Sequence, residues 1–301
     1  YGDDQEYINV DYVADEFSEF TKLKAQGYDS YHSGSRSGQQ REGYWIIEPD
    51  SSIDPADDDD AGLEFISPAL ELPEAFEQLK LALAWAEEQG CYTNRSTGFH
   101  INVSVPGLTE ENTDYVKLAL FLGDKHILEK FDRLSNTYCR SALEKIAGRK
   151  ERLSQEELAK SMYNLRQGLN KEASKLVHGW STDKYTSINT KSGYIEFRSP
   201  GGDWLDRNFD KIKNTILRFV VALDAACDPT KYRKEYYKGL IKALKPKNPN
   251  DDMSYFAKFM AGQMDRSEYV DVITKARQTR FKKEGVSVIP LNQVEEGDWV
   301  I

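Results

Sequence analysis

Apolar and polar residues alternate along two stretches of the chain, Thr97-Gly98-Phe99-His100-Ile101-Asn102-Val103-Ser104 and Tyr194-Ile195-Glu196-Phe197-Arg198. This is the period of a strand, in which successive side chains leave on opposite faces. Glu196 and Arg198 therefore share a face of their strand, and His100, Asn102 and Ser104 share a face of theirs. The segments Tyr185 to Thr190 and Tyr194 to Ser199 flank Ser192-Gly193, which predicts a two-residue hairpin turn and sets Asn189 opposite Glu196. Tyr44-Trp45-Ile46-Ile47 and Leu63-Glu64-Phe65-Ile66 read as two more short strands, joined by the acidic connection Asp50 to Gly62.

Elsewhere the spacing is helical. Phe17 to Gly27 predicts a short helix. Pro73 and Glu74 open another, with Phe76, Leu79, Leu83 and Ala86 inward and Gly90 as its stop. Thr109, followed by two glutamates, predicts a helix running to about Arg133. Ser154-Gln155-Glu156-Glu157 is a capping box ahead of Leu158, Met162, Leu165, Leu169 and Leu176. Asp206 starts a long helix that Asp228-Pro229 ends. Two or three further helices follow to about Glu284, and Gly285 to Ile301 reads as a tail or late strand. The sum is an α+β protein, with a curved, mainly antiparallel sheet, helices packed on its outer face, a catalytic-size domain over residues 1–228 and a helical C-terminal extension over 229–301.

Composition narrows the classes. A chain of 301 residues with 39% hydrophobic content can bury a substantial core. Its 40 Lys+Arg against 50 Asp+Glu give a net charge of −10 without any basic block, so duplex nucleic acid is not an expected partner. Cys91, Cys139 and Cys227 are odd in number and lack a C-x-x-C pair, which argues for a reducing compartment rather than a disulfide or zinc framework. No apolar run approaches the roughly 20 residues of a membrane span, and no signal peptide is visible. We expect a cytoplasmic protein. The chain opens on Tyr1 rather than Met, from which we expect a preceding segment.

Chemistry concentrates on the polar strand faces. A carboxylate, an imidazole and a guanidinium on short strands make a floor for a metal ion and an anion. The order Trp45-x4-Asp50-x-Ser52, Gly62-Leu63-Glu64-Phe65-Ile66-Ser67-Pro68, Gly98-Phe99-His100-x-Asn102, Asn189 and Glu196-Phe197-Arg198 resembles the amidoligase family, itself similar to the glutamine synthetase catalytic fold. The resemblance covers about Tyr44 to Asp206. It implies an ATP-dependent carboxylate-amine ligase that forms an amide or isopeptide bond through an acyl-phosphate, with ATP and Mg²⁺ or Mn²⁺ as cofactors and a carboxylate and an amine as substrates. It implies Glu64, His100 and Glu196 as metal ligands, His100, Asn102, Ser104 and Arg198 at the nucleotide, and Arg198, Glu196 and Asn189 as catalytic groups. Asp50, Ser67 and Asn94 are assigned to the substrate. Family members commonly carry a second histidine where this chain has Asn102, and an early Gly-x-Glu-x-Glu strand that this chain does not show.

Those departures keep open a second expectation, a catalytically inactive scaffold within a larger assembly, phage assemblies included; an ATP-independent metal hydrolase is the third. The plainer readings of single features stand beside them. Glu196 and Arg198 also fit a cross-strand ion pair, and Ser199-Pro200-Gly201-Gly202 also fits a strand terminator rather than a phosphate-facing backbone. Asp57 to Asp60 lacks the ligand spacing of a calcium loop and reads as solvated. His32, with Arg36 and Arg41, falls in a Ser/Gly-rich stretch, Ser30 to Arg41, that reads as a mobile surface loop.

Overall fold

The computed structural model describes residues 9–34, 42–57, 60–135, 139–148, 170–171, 173–175, 186–205, 209–244, 258, 264–272 and 274–275. It is α+β and divides into two compact units, the first from residues 1–99, 131–133 and 200–215 and the second from residues 100–130, 134–199 and 216–301. The sequence leads one to expect a single sheet, whereas the described strands form two three-stranded sheets, one per unit. Strands of three to five residues form two small ladders, with helices between Leu63–Ile66 and Ile101–Val103 and between Ile101–Val103 and the hairpin of Ile188–Lys191 and Tyr194–Phe197.

In the first unit, α1 (Val10–Thr21) starts at Asn9, whose side chain accepts the Tyr12 N–H, and ends on Lys22 in the left-handed region at φ 61°. The expected helix over Phe17 to Gly27 is thereby corrected. Its second half is a break and then β1 (Ala25–Gly27), which pairs parallel with β2 (Trp45–Pro49). Ala-Gln-Gly carries no strand signal of its own, so the ladder of β2 imposes the conformation. β2 pairs antiparallel with β3 (Leu63–Ile66), setting Ile47 opposite Phe65 and Glu48 opposite Glu64. The sheet is thus mixed. α2 (Leu72–Glu88) has Pro73 in its first turn, as expected, and buries Ala82 and Trp85.

The core of this unit is aromatic. Phe17 is fully buried, with ring centroids 5.4 Å from Trp45, 5.3 Å from Trp85 and 5.9 Å from Phe65. Trp45 also donates its indole N–H to Gln78 Oε1 at 2.8 Å, which satisfies the polar end of a buried ring. Trp45 and Ile47 face this core, so parity sends Ile46 and Glu48 to the other side of the sheet.

The second unit holds β4 (Ile101–Val103), α3 (Tyr115–Leu122), α4 (Asp124–Lys130), α5 (Ala142–Gly148), β5 (Ile188–Lys191) and β6 (Tyr194–Phe197). The helix expected from Thr109 to Arg133 is two helices. Thr109 instead closes a turn onto the Asn112 N–H, Asp114 caps α3 through the Lys117 N–H, and Gly123 breaks the run at φ 68°. α6 (Phe209–Cys227) supplies Phe219, which stacks on Phe197 at 4.5 Å and 23°. α7 (Arg233–Leu244) brings Tyr236, whose hydroxyl reaches Asp114 at 3.0 Å, and the buried Lys117 ammonium donates to the Asp228 carbonyl at 2.6 Å.

Asp124 is fully buried and ties three segments together. Its Oδ2 accepts from Ser187 Oγ at 2.7 Å, the Ala142 N–H at 2.7 Å and Ser141 Oγ at 3.2 Å, fixing the start of α5 to the residue before β5. Burial still dominates these hydrogen bonds and pushes its carboxyl up to about 6. The three cysteines are free thiols. Among the described residues no helix is long and apolar enough to cross a membrane. The expected helix after Ser154 and the tail from Gly285 lie outside the described residues.

Candidate functional site

β6 is the central strand of the second unit's sheet, between β4 and β5. Ile195 and Phe197 are buried on one face, and Glu196 lies on the other with Asn102 opposite it on β4 and Asn189 opposite it on β5. The hairpin register is the expected one, with Gly193 at φ 86° making the turn between Lys191 and Tyr194. Three short strands thus carry Asn102, Asn189 and Glu196 to one surface. His100 immediately precedes β4 rather than lying within it, and Ser104 immediately follows it.

Glu196 organises that surface. Its Oε2 accepts the Asn189 amide at 2.7 Å, and the same oxygen lies 3.7 Å from Arg198 Nη1 and 3.8 Å from Lys191 Nζ. Its Oε1 is 3.7 Å from His100 Nδ1. The glutamate side chain is 13% exposed, while Arg198 and His100 are 23% and 33% exposed, so the carboxylate is sunk among groups that reach solvent above it. One carboxylate against an ammonium and a guanidinium leaves these groups with an excess of positive charge before the imidazole is counted. Such a surface attracts an anion. Burial, reinforced by the Glu196 charge, pushes the nearby Tyr194 hydroxyl up.

Lys191 was not anticipated. It stands two residues beyond Asn189 on the same strand, so strand parity alone puts both on the Glu196 face. The plain ion-pair reading of Glu196 with Arg198 is met in part, since the two groups lie 3.7 Å apart, yet the carboxylate is shared among several partners rather than given to one.

Glu64 belongs to the first unit, where Glu48 lies directly opposite it across the β2–β3 ladder. Glu48 is fully buried and accepts the His32 N–H at 2.8 Å on Oε1 and the Gly34 N–H at 3.1 Å on Oε2. The segment up to Gly34 therefore does not form the mobile loop expected from its Ser/Gly content; the buried carboxylate gathers its backbone N–H groups. Arg36 and Arg41 lie outside the described residues. Glu48 was missed because the apolar run Trp45 to Ile47 reads as a strand that stops before it.

The residues assigned to substrate make local turns. Asp50 Oδ1 accepts the Ser52 N–H at 2.9 Å and its hydroxyl at 2.6 Å, and Asn94 Oδ1 does the same for Ser96 at 2.9 and 2.6 Å. Asn94 also donates to the Asp54 carbonyl at 2.6 Å. Ser67 Oγ donates to the Pro68 carbonyl at 3.0 Å. In the Ser199-Pro200-Gly201-Gly202 segment the Gly202 N–H donates to the Thr97 carbonyl at 2.8 Å, and the Arg133 guanidinium donates to the Pro200 carbonyl. A Cβ on Gly201 would meet Arg133 Nη1 at 2.3 Å and the Thr97 carbonyl at 2.7 Å, so close packing against these groups accounts for that glycine.

Residues 7–220 match the family described as "Putative amidoligase enzyme". Searches of curated proteins and of solved structures each found no match. The matched span runs from before α1 into α6 and takes in every strand of both sheets. The chain belongs to the amidoligase family.

Proposed function

We propose that the protein is an ATP-dependent carboxylate-amine ligase whose polar face on the second sheet binds the triphosphate. Membership of the family supports an amide-bond ligase. The observation that carries the finer reading is the setting of Glu196, a single carboxylate held by the Asn189 amide with Arg198, Lys191 and His100 around it. Phosphoryl transfer asks a protein mainly for positioning and for neutralising charge on the transferring group. The positive groups of this face do the second, and the short strands under them do the first.

In the first step an oxygen of the substrate carboxylate attacks the γ-phosphorus and ADP leaves, giving an acyl-phosphate. In the second the amine nitrogen attacks the acyl carbon, inorganic phosphate leaves with the electron pair of the broken C–O bond, and the amine loses a proton. Arg198 stabilises the transferring phosphoryl group, since its planar fork matches two phosphate oxygens at once. Lys191 is a point charge on the same anion. Asn189 keeps Glu196 in one orientation.

The donors on this face fit a hard dication. Glu196 offers a carboxylate oxygen, and Asn102 and Asn189 add amide oxygens, the ligand type Mg²⁺ takes together with water and phosphate. Glu196 with His100 would hold the ion, which would supply neutralisation of phosphate charge. Glu64, expected in the same set, lies on the first unit's sheet opposite Glu48, and its part is taken up below. A curved sheet of glutamine synthetase type is the architecture this reading extends to.

The test is release of ADP and phosphate when the full chain is given ATP, Mg²⁺ or Mn²⁺ and panels of carboxylates and amines. Turnover that requires both acid and amine, and is lost in Glu196→Gln, is the expected result. Absence of both nucleotide binding and turnover overturns the reading in favour of a scaffold, and amide cleavage without ATP overturns it in favour of a hydrolase.

A further inference from the structure

The first unit carries its own cluster of metal-binding groups. His32, Glu48 and Glu64 each offer one ligand atom, and these atoms all lie within 4.8 Å of one another. We propose that they form a binding site for a first-row transition-metal dication of the Zn²⁺ or Mn²⁺ class, built on the covered face of the β2–β3 ladder.

The register makes the first argument. Glu48 and Glu64 are directly opposite across antiparallel strands and on the same face, and like charges so placed repel. One of them, Glu48, is fully buried, where repulsion is least screened by water. A glutamate that served only to anchor the segment above it would need the His32 and Gly34 N–H groups and nothing else. Glu64 adds a second carboxylate that an anchor does not use and that a dication between the two turns from repulsion into attraction.

Preorganisation makes the second. His32 holds Glu48 twice, through its N–H at 2.8 Å and with Nδ1 3.5 Å from the same oxygen. Two ligands at about 2.1 Å from one ion are about 3.4 Å apart in tetrahedral geometry, so this pair is already at the spacing of a shared metal. The imidazole plane is set by stacking on Tyr31, with centroids 3.7 Å apart at 27°. The backbone of His32 is in the left-handed region at φ 62°, a conformation uncommon for a residue with a side chain. At Gly34 a Cβ would meet Ile46 Cγ2 at 2.1 Å and Tyr28 Cδ2 at 2.7 Å, so the segment can lie this close to Glu48 only with glycine there.

Ligand chemistry names the class of ion. One imidazole nitrogen with two carboxylates is the mixed set that Zn²⁺, Mn²⁺ and Fe²⁺ accept, whereas Mg²⁺ favours oxygen donors and keeps its waters. The inference does not rest on the ligase reading, because it concerns the first unit alone.

The experiment is isothermal titration of the full chain with Zn²⁺ and with Mn²⁺, without nucleotide, beside Mg²⁺ as a control. Uptake of Zn²⁺ or Mn²⁺ that includes one equivalent dependent on His32 is expected, bound at least tenfold more tightly than Mg²⁺. Affinity should fall at least tenfold in Glu48→Gln and in His32→Asn, the latter chosen because asparagine tolerates the left-handed backbone. Should Glu48→Gln fail to fold, Mn²⁺ broadening of the imidazole proton resonances locates the ion in the wild type, with His32 broadened first. No saturable uptake, uptake indifferent to His32→Asn, or His100 broadened first overturns the proposal. The titration contains no ATP and the ADP assay does not depend on this ion, so the two readings can fail separately.

Discussion

In the first unit the non-core face of the sheet is closed. Backbone N–H groups of His32 and Gly34 lie on Glu48, which is fully buried opposite Glu64. In the second unit the corresponding face is open, and its one glutamate stands among Lys191, Arg198 and His100, all in part exposed. Both sheets follow the same alternation, core residues on one side and charge on the other. What differs is the cover and the sign of the surplus. A closed face with surplus negative charge suits a bare dication, and an open face with surplus positive charge suits a large anion that enters from solvent together with the cation it carries.

The strongest way to break this contrast is through Arg198. Arg198→Lys keeps the charge and removes the bidentate fork, so turnover should fall by about 10²–10³ while nucleotide affinity moves only a few-fold. Steady-state kinetics with separate nucleotide titration measures both. An unchanged turnover would remove Arg198 from the reacting group and leave the open face as a passive binding surface.

The next effect is on stability. Phe17 and Phe197 are each fully buried, the first among Trp45, Phe65 and Trp85, the second stacked on Phe219. Truncation to alanine should cost about 3–5 kcal/mol in either case. Chemical denaturation read by tryptophan fluorescence reports it, and since Trp45 and Trp85 touch Phe17, the Phe17→Ala trace should also change in native-state intensity. A loss well below this range for Phe197→Ala would mean that its face is not core, and would exchange the wet and dry sides of the second sheet.

Much of this contrast was legible in the chain, and the parts that were not share a cause. The β5–β6 hairpin could be read because period-two alternation on both sides of Ser192-Gly193 leaves one consistent pairing, and Asn189 does lie opposite Glu196. β2 and β3 could be read because Trp45 to Ile47 and Leu63 to Ile66 are apolar runs bounded by turn residues. β1 could not, since Ala25-Gln26-Gly27 is a strand only by virtue of its partner. The split at Gly123 was hidden because Leu118, Leu122, Ile127 and Leu128 keep an apolar rhythm through the break. Glu48 was hidden by burial itself: a charged residue after Trp45-Ile46-Ile47 reads as the end of a strand, and only the pairing with Glu64 shows that it faces a second carboxylate. Local pattern fixes faces; which residues meet across a ladder is tertiary information.

A third prediction uses acidity to separate the second unit's interior from its open face. Burial raises the Asp124 carboxyl to about 6, against hydrogen bonds from Ser187, Leu143, Ala142 and Ser141 that lower it. A carboxyl whose folded value lies above its unfolded value keeps its proton longer in the folded state. Between about pH 4 and 6 the folded chain therefore binds more protons than the unfolded chain, and stability falls as pH rises through that window, by on the order of 3 kcal/mol for a two-unit shift, with no further loss from this group above it. Asp124→Asn should flatten this part of the profile in denaturant titrations between pH 4 and 7. A profile equally steep in the variant would assign the slope to other carboxylates.

The smallest effect sharpens the register on which the open face depends. Gly193 sits at φ 86°, and with nothing within 4 Å of a Cβ built there, the only cost of Gly193→Ala is conformational. That cost is about 1 kcal/mol. Denaturant midpoints measure it, and the Asn189 side-chain amide resonance, held by Glu196 at 2.7 Å, reports the pairing independently. If stability drops while that resonance stays in place, the turn contributes only backbone strain and the ladder between Ile188–Lys191 and Tyr194–Phe197 holds the register by its own side-chain alternation. If the resonance moves as well, the turn sets where Glu196 lies relative to Asn189 and Lys191, and turnover should fall with it.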